Sequence, residues 1–320
     1  MSRAAWGLTT TAVFLVGLLL GIYGLAPMLQ PSPEELMRKL RVFPEDSAWR
    51  SDSLRIIGST TVLPIGESCA KEFMKLYNVS IVVEGGGSGR GISGVIDGIC
   101  DIGMASRPPK PEELELAEEK GAALVLHKIA ADGIAVIVHP SVVEGLGGEP
   151  LKLTIEDVSK IYSGEYVKWS DLDPRLPDKE IIVFTREPGS GTRDTFEKFV
   201  LEPFKRELRS DVSVQPSNPA MRASVEKTPY SIGYVGLGFV TGDVKAVLLA
   251  KTEDGPYYEP TAENVKAGVY PISRFLYMVT RGYPESGSLV DRFLDFVKSP
   301  RGQSIVEECG FVSIYPTEEE

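Results

Sequence analysis

The sequence has few of the residues that most often bind metals. Its 320 residues include three cysteines, Cys69, Cys100 and Cys309, and two histidines, His127 and His139. The cysteines do not stand at the spacing of a zinc site, and the histidines stand apart from them. We therefore expect neither a metal nor a cofactor. A disulfide between Cys69 and Cys100 stays open as an alternative to two buried thiols.

Positively charged residues are outnumbered as well. The chain has 34 Lys and Arg against 45 Asp and Glu, a formal net charge of -11 and a pI near 5.0. Binding to a nucleic-acid backbone needs a basic surface, so this balance argues against a nucleic-acid partner. If the ligand is an anion, local hydrogen-bond donors and helix ends must attract it, because the overall field is unfavourable.

Charge is absent altogether from residues 4 to 29. A helix of about 26 residues spans roughly 39 Å, which is enough to cross a bilayer with some tilt. The apolar stretch has no clear cleavage site and no lipid-accepting cysteine, so we prefer an uncleaved transmembrane anchor over a removed signal. We expect residues 1–30 to be this anchor and residues 31–53, with three prolines, to form a stalk. The body would then lie on the extracytoplasmic face of the membrane, or be secreted if the segment is cleaved.

From Leu54 onward the apolar pattern alternates between strands and helices. LRIIG, VSIVVEG and IIVFT predict buried strands, and each is followed by a polar or Gly-rich loop and a helix. This order predicts an α/β fold with a mainly parallel sheet. The stretch GAALVLHKIAADGIAVIVHP predicts two β-rich segments, and GGSGRG predicts a loop. Two α/β lobes joined by extended crossing segments account for this order.

Three loops share one design, in which a strand ends, a Gly, Ser or Thr turn follows and a helix begins. Unpaired N–H groups and the helix dipole at such a point can bind an anion without a basic side chain. Arg186 and Arg193 flank the third loop and add guanidinium groups that match an oxyanion edge. Each loop alone is also explained by helix capping and turn formation, but three together favour an oxyanion site. The candidates are Ser59, Thr60 and Thr61 in the first loop, Ser88 in the second, and Ser190, Gly191 and Thr192 in the third.

Nucleotide-binding and hydrolase motifs are incomplete. GRGISG, from Gly89 to Gly94, has the glycine spacing of a dinucleotide site but lacks the acidic residue after a second strand. GSGTRD lacks the lysine of a P-loop. A serine hydrolase would need Ser88 or Ser190 as nucleophile and His127 or His139 as base, yet neither serine lies in G-x-S-x-G. We therefore expect a binding protein rather than an enzyme, with the hydrolase as the less favoured alternative.

At these loops the sequence resembles the PstS-like phosphate-binding proteins of ABC transporters, which are type II periplasmic binding proteins. The resemblance extends from Leu54 to Val312 and rests on GSTTVLP, EGGGSGRG, DIGMASRP, TREPGSGTRDTFEKFV, PYSIGYVGLGFV and YPISRFLYMV. It implies a two-lobed fold with a hinge, with residues 54–132 and 275–320 in lobe I and residues 133–274 in lobe II. It also implies capture of inorganic phosphate and delivery to ABC permease subunits.

The resemblance also implies which residues contact the anion. They are Thr60, Thr61, Ser88, Arg186, Ser190, Gly191 and Thr192. In DIGMASRP the family often has an acidic residue that accepts the proton of hydrogen phosphate, whereas this sequence has Ser106 followed by Arg107. A carboxylate rejects sulfate, which has no proton to donate. Ser106 and Arg107 stay among the expected anion contacts, and because the Ser106 hydroxyl can donate or accept, discrimination is either softer or rests on another group.

Several alternatives follow from this departure. Glu84, Asp132 or Glu187 could sense the proton in place of Ser106, and we expect Arg107 to add positive charge to the cleft. Sulfate, molybdate or tungstate stays open as the ligand. A membrane-tethered anion sensor stays open as the function.

Overall fold

Strands and helices alternate through residues 53–318, the part of the chain that the structure, a computed structural model, describes. The strands are β1 (Ser53–Gly58), β2 (Ser80–Gly85), β3 (Ile102–Ala105), β4 (Leu124–Val138), β5 (Lys152–Thr154), β6 (Ile182–Arg186), β7 (Ser213–Gln215), β8 (Ser231–Gly236), β9 (Lys245–Ala246), β10 (Leu248–Ala250) and β11 (Ser273–Arg281). The helices are α1 (Leu63–Leu76), α2 (Ser88–Ile96), α3 (Pro111–Glu119), α4 (Ile155–Ser163), α5 (Gly191–Val200), α6 (Asn218–Lys227), α7 (Ala262–Lys266), α8 (Leu289–Lys298) and α9 (Pro300–Glu308). The predicted anchor, and all of the predicted stalk except Ser53, lie outside these residues.

The strands form one long path of neighbours in the order β2-β1-β3-β11-β4-β8-β6-β7. The pairs β1 with β2, β1 with β3, β6 with β7 and β6 with β8 are parallel, whereas β11 and β8 run antiparallel to β4. Parallel neighbours direct their carboxyl ends to the same edge, so the loops after β1 and β3 lie together. The loop after β6 lies at the carboxyl edge of the other parallel set, and in open α/β sheets ligands bind at such edges.

The long strand β4 connects the two ends of this path. Residues 124–133 pair with β11, and residues 134–138 pair with β8. The sequence predicted two β-rich segments here, but the structure has one strand of 15 residues. All of its residues from Gly133 to Val138 are buried, so the strand continues without a break between the two predicted segments.

The apolar core is divided into clusters, and the two largest contain residues from different parts of β4. One large cluster is formed by residues between 134 and 272 together with Val312. The other is formed by residues between 54 and 130 and between 276 and 311. We call them the second core and the first core. Two separate cores joined by β4 and β11 give a two-lobed body.

Helix α2 begins earlier than the sequence indicated. GGSGRG was expected to be a loop, yet the helix starts at Ser88 because Gly87 adopts a φ of 90° as the N-cap residue. Such a backbone conformation favours glycine, which lets the chain turn abruptly from β2 into the helix. This places Ser88 in the first turn of the helix, where its N–H has no hydrogen-bond partner within the helix.

Three further features of the described residues bear on the sequence predictions. Within residues 53–318 no helix has the length and apolar character needed to cross a membrane. The same residues contain no group of three or more His, Cys, Asp or Glu side chains fit to hold a metal ion. All three cysteines are free thiols, so Cys69 and Cys100 do not pair, and burial raises the pKa of Cys100 to about 11.

Candidate functional site

The first and second loops meet at the carboxyl ends of β1 and β3. After β1 the N–H of Ser59 donates to the carbonyl of Met104 at 2.8 Å, and the Ser59 hydroxyl accepts from the N–H of Thr61 at 3.2 Å. Ser106, directly after β3, donates its N–H to the Ser88 hydroxyl at 3.0 Å. Because β1 and β3 are neighbours, the predicted residues Thr61, Ser88 and Ser106 come together, and all three are 0% exposed.

The third loop approaches these residues from the other lobe. Helix α5 begins at Gly191, with Ser190 as its N-cap, whose hydroxyl accepts from the N–H of Arg193 at 3.3 Å. A Cβ added at Gly191 would lie 2.2 Å from the Ser88 Oγ and 2.6 Å from the Ser106 Oγ. Only glycine therefore allows the N-terminus of α5 to approach the two serines this closely.

A backbone hydrogen bond also joins the second and third loops. The N–H of Gly89, in the first turn of α2, donates to the carbonyl of Gly189 at 3.1 Å. The first turns of α2 and α5 thus face each other across the junction of the two lobes. Two helix N-termini that face one small volume both favour negative charge there.

Arg186 is the most deeply buried cation of the site. It ends β6 and is 1% exposed, and its Nε and Nη2 donate to the Glu187 carboxylate at 2.8 Å each. Its Nη2 also donates to the Thr60 hydroxyl, which lies in the first loop, at 3.1 Å. Its Nη1 is buried and has no hydrogen-bond partner among the described residues. A buried guanidinium with an unpaired N–H group lacks an acceptor that an oxyanion would supply.

A second guanidinium holds the threonines that line the junction. Arg274 Nη2 donates to Thr192 Oγ1 at 3.1 Å and to Thr61 Oγ1 at 3.4 Å, and the two threonine oxygens are 2.9 Å apart. Its Nε and Nη2 donate to Asp132, at 2.9 and 2.7 Å. Burial is the main cause that raises the pKa of Asp132 and lowers the pKa of Arg274, and their mutual attraction opposes both changes.

The sequence analysis did not select Arg274 or Asn218, although both contact predicted site residues. The Asn218 Nδ2 donates to Thr61 Oγ1 at 2.9 Å. Asn218 follows a serine and precedes a proline, a pattern that by itself indicates only a helix start. Arg274 gave a stronger signal, because a charged residue beside the apolar FLYMV run of a predicted strand needs a buried partner.

Arg107 has a different role from the one its sequence position indicated. Its guanidinium binds Glu113 through two N–H groups, at 2.7 and 2.8 Å, and donates to Asp194 at 2.6 Å and to the Pro108 carbonyl at 2.9 Å. Lys110 also pairs with Asp194, at 2.9 Å. Two carboxylates thus neutralise Arg107, and its charge is not free in the cleft.

The other candidate carboxylates are paired as well. Glu84 is 35% exposed and pairs with Arg55 and Arg90, while Glu187 and Asp132 pair with Arg186 and Arg274. Among the described residues, none of these three carboxylates therefore faces the junction without a cationic partner.

The histidines required by the hydrolase alternative are bonded elsewhere. His127 Nε2 lies 2.9 Å from Thr280 Oγ1, and His139 Nδ1 lies 2.8 Å from Ser141 Oγ and accepts the N–H of Ser141. Neither hydrogen-bonds to a candidate serine nucleophile. A Ser and His pair that could generate an alkoxide at Ser88 or Ser190 is thus absent from the described residues.

Comparisons with known proteins give the relatives of this chain. Residues 44–301 match the model of a family described as a PBP superfamily domain. The phosphate-binding protein PstS of Pseudomonas aeruginosa is 31% identical over 279 residues, which are 82% of this chain and 84% of that protein. The phosphate-binding protein PstS of Staphylococcus haemolyticus is 34% identical over 263 residues, which are 80% and 79% of the two chains.

Solved structures agree with these relatives. A phosphate ABC transporter substrate-binding protein of Clostridium perfringens, with bound phosphate, is similar at a TM-score of 0.69 and 33% identity, over 82% of this chain and 99% of that chain. An ABC-type phosphate transport receptor of Vibrio cholerae is similar at a TM-score of 0.63 and 27% identity, over 81% and 99%. The two-lobed α/β fold predicted from the sequence is confirmed. The chain therefore belongs to the PstS family within the PBP superfamily.

Proposed function

We propose that this protein captures inorganic phosphate between its two lobes and delivers it to the permease of an ABC transporter, without chemical turnover. The relatives named as phosphate-binding proteins, and the substrate-binding protein with bound phosphate, support this function. The lobes would comprise residues 54–132 with 275–320 and residues 133–274, a division that the two separate cores support.

The observation that carries the proposal is the unpaired Nη1 of Arg186. Leaving a buried N–H group of a cation without an acceptor is costly, and an oxygen of an anion bound between the lobes would satisfy it. Among residues 53–318, Arg206 and Arg209 also have a buried unpaired Nη1, but only that of Arg186 belongs to a guanidinium that reaches the first loop. Thr60 accepts from the same guanidinium and keeps its own hydrogen free to donate. Arg186 and Thr60 together would bind adjacent oxygens of one tetrahedral anion.

The remaining contacts would come from the two helix N-termini. Ser88 and Gly191 stand in the first turns of α2 and α5, and Ser190 and Thr192 add hydroxyl groups. Their close approach leaves little room, which favours phosphate or sulfate over the larger molybdate and tungstate. Arg107 would not contact the anion directly, because its N–H groups are engaged by Glu113 and Asp194.

The apolar segment from residue 4 to residue 29 would hold the protein at the extracytoplasmic face of the membrane. Tethering keeps the binding protein near the permease and raises its effective concentration there. A tethered anion sensor would share the segment and the binding site, so uptake separates the two functions. If the protein delivers phosphate, removing it should abolish phosphate uptake through the transporter. If it is only a sensor, uptake measured at saturating phosphate should stay unchanged.

The binding proposal is tested with Arg186→Ala. Titration calorimetry on protein freed of bound anion should show one phosphate per chain for the unaltered protein. The variant should lose at least about 2 kcal/mol of binding free energy, roughly thirtyfold in Kd, because a buried charge-assisted contact is removed. Arg222→Ala removes a guanidinium that pairs with Glu226 within α6 and should leave Kd unchanged. Equal phosphate affinity in both variants would contradict a role for Arg186.

A further inference from the structure

Thr61 has a hydroxyl whose hydrogen can point in only one direction. Its Oγ1 lies 2.9 Å from Asn218 Nδ2, 3.4 Å from Arg274 Nη2 and 2.9 Å from Thr192 Oγ1. The two nitrogens can only donate, and a hydroxyl oxygen has two lone pairs and one hydrogen. Arg274 Nη2 gives one of its two hydrogens to Asp132, so Thr61 and Thr192 share the other. Because one lone pair of Thr61 faces Asn218 and the other faces this shared hydrogen, Thr61 directs its own hydrogen to Thr192.

Thr192 is then left with a hydrogen that no group of the described chain accepts. Its Oγ1 accepts from the Thr61 hydroxyl and, at 3.1 Å, from the hydrogen of Arg274 Nη2 that it shares with Thr61, so both lone pairs face donors. The hydrogen of Thr192 can therefore only be donated to a ligand. At this position the site presents a donor and excludes a ligand hydrogen.

The two groups that impose this order are themselves held in place. Asn218 Oδ1 accepts the N–H of Gly236 at 3.3 Å, which directs its NH₂ group toward Thr61. Arg274 is bound by Asp132, and Asp132 accepts the N–H of Leu237 at 2.8 Å with its other oxygen. Neither the amide nor the guanidinium can rotate without losing a buried hydrogen bond.

The two serines on the other side of the junction are not constrained in this way. Ser88 Oγ accepts the N–H of Ser106, and the two hydroxyl oxygens lie 3.2 Å apart, so either can donate to the other. In the described part of the chain no guanidinium or side-chain amide hydrogen-bonds to either hydroxyl. One of them can accept a hydrogen from the ligand while the other donates.

We propose that Asn218 and Arg274 are positioning residues that make Thr192 a permanent donor, so that the Ser88 and Ser106 pair alone receives the hydrogen of hydrogen phosphate. This inference rests on the proposed function and deepens it. It accounts for recognition of a protonated anion without a carboxylate at Ser106. It also predicts a moderate selectivity, because the serine pair can donate to sulfate as well.

The order of the hydroxyls is tested with Asn218→Asp in the full-length protein. A carboxylate accepts from Thr61, so Thr192 donates to Thr61 and turns a lone pair toward the anion. Sulfate has no hydrogen for that lone pair, whereas hydrogen phosphate has one. Measured above neutral pH, where both ligands are mainly dianions, the ratio of phosphate to sulfate affinity should rise about tenfold.

Gln215→Glu is the matched control, because it makes the same change from amide to acid on a residue whose backbone carbonyl accepts from Arg186 and whose side chain bonds Ser224 rather than either threonine. Added charge alone weakens both dianions, so in this variant the ratio should stay within about twofold. An unchanged ratio in Asn218→Asp, or an equal rise in both variants, would overturn the proposal. If the unaltered protein bound neither anion, the proposed function itself would fail, which is a separate outcome.

A second pair of variants tests the same roles, with Thr192 as donor and the serine pair as acceptor of the ligand hydrogen, without adding a buried carboxylate. Thr192→Val removes a donor that serves both anions, so phosphate and sulfate should weaken by the same factor. Ser106→Ala removes part of the pair that receives the ligand hydrogen, so phosphate should weaken about tenfold more than sulfate. The proposal would be wrong if Thr192→Val changed the ratio of phosphate to sulfate affinity as much as Ser106→Ala does.

Discussion

At the scale of single residues, the proposed site makes Ser106 the residue on which discrimination between phosphate and sulfate would depend. Its hydroxyl either donates or accepts, whereas a carboxylate at the same place would only accept. Ser106→Asp should therefore raise the ratio of phosphate to sulfate affinity by about tenfold or more, because sulfate would leave the buried carboxylate facing an acceptor. Competition between the two anions in titration calorimetry measures this ratio.

The control for this change is Ser106→Asn, which has the size of aspartate but offers donors. It should not raise the ratio, because its amide can turn its NH₂ group toward sulfate. If both variants raise the ratio equally, size rather than hydrogen-bond direction governs selectivity at this position. A fall in the ratio in Ser106→Asp would show that another group senses the ligand hydrogen.

Hydroxyl and glycine residues of the site could be selected from sequence, but their partners could not. Ser88, Ser190 and Thr192 stand out because each follows a strand and begins a helix, which is a local pattern. Asn218 is far from Thr61 in sequence, and their hydrogen bond depends on how α6 packs beside β8. The pairing of Arg107 with Asp194 is hidden for the same reason, since the two residues are 87 positions apart.

At the scale of elements, the approach of α5 to the loop after β3 depends on Gly191. Gly191→Ala would place a methyl group 2.2 Å from the Ser88 Oγ, closer than any stable contact. The helix must then move away from the serines at a cost of roughly 1–3 kcal/mol, and phosphate affinity should fall at least about tenfold. The midpoint of thermal unfolding should change little, because the helix can shift without exposing the second core.

Gly89→Ala is the matched control, since it faces the same junction from α2. A Cβ there would meet Gly189 at 3.5 Å, which is ordinary van der Waals contact. Its phosphate affinity should stay within about threefold of the unaltered protein. Equal losses in both variants would mean that the backbone at Gly191 does not limit the approach of the two helices.

The elements that were predicted well are those with strong local periodicity. β1, β2 and β6 appear where apolar runs end at polar loops. The start of α2 was placed too late because three glycines in a row indicate a loop, whereas the turn of Gly87 allows the helix to begin at once. The sequence predicted two segments in place of the single strand β4. Apolar periodicity does not show that one strand passes from one core to the other, because this depends on tertiary packing.

At the scale of the whole molecule, an ion-pair network joins the two lobes beside the site. Arg107 and Lys110 follow β3 on the side of the first core, and Asp194 stands in α5, whose Phe196 and Val200 lie in the second core. A groove of about 680 Å³ lies along this network and is lined by residues of both lobes, so water and salt reach it. Glu113 holds Arg107 from within its own lobe and directs it toward Asp194.

This network should favour the conformation in which the lobes are together. Asp194→Asn should destabilise only the closed conformation. When the lobes are separated, Arg107, Lys110 and Asp194 are solvated independently and no ion pair is lost. Arg107 and Asp194 are only 7% and 18% exposed, so their pair is largely buried, but Glu113 still neutralises Arg107 in the variant. We expect a loss of at least about 1 kcal/mol, so the population of closed molecules should fall at least roughly fivefold. When closed molecules are the minority, a smaller closed fraction lowers the apparent phosphate affinity. Removing the negative charge of Asp194 from the first turn of α5 would raise it, because that helix end would then repel an anion less.

Affinity alone therefore does not test the network, and the shape of the molecule does. Small-angle X-ray scattering of phosphate-free protein should give a larger radius of gyration for Asp194→Asn than for the unaltered protein. With saturating phosphate the two should agree, because the ligand joins the lobes in both. Asp97→Asn makes the same charge change at an ion pair with Lys120 on the first-core side, and it should change neither radius. If phosphate-free Asp194→Asn has the same radius as the unaltered protein, the network does not hold the lobes together, and closure depends on the anion and the contacts of Gly89 and Gly191.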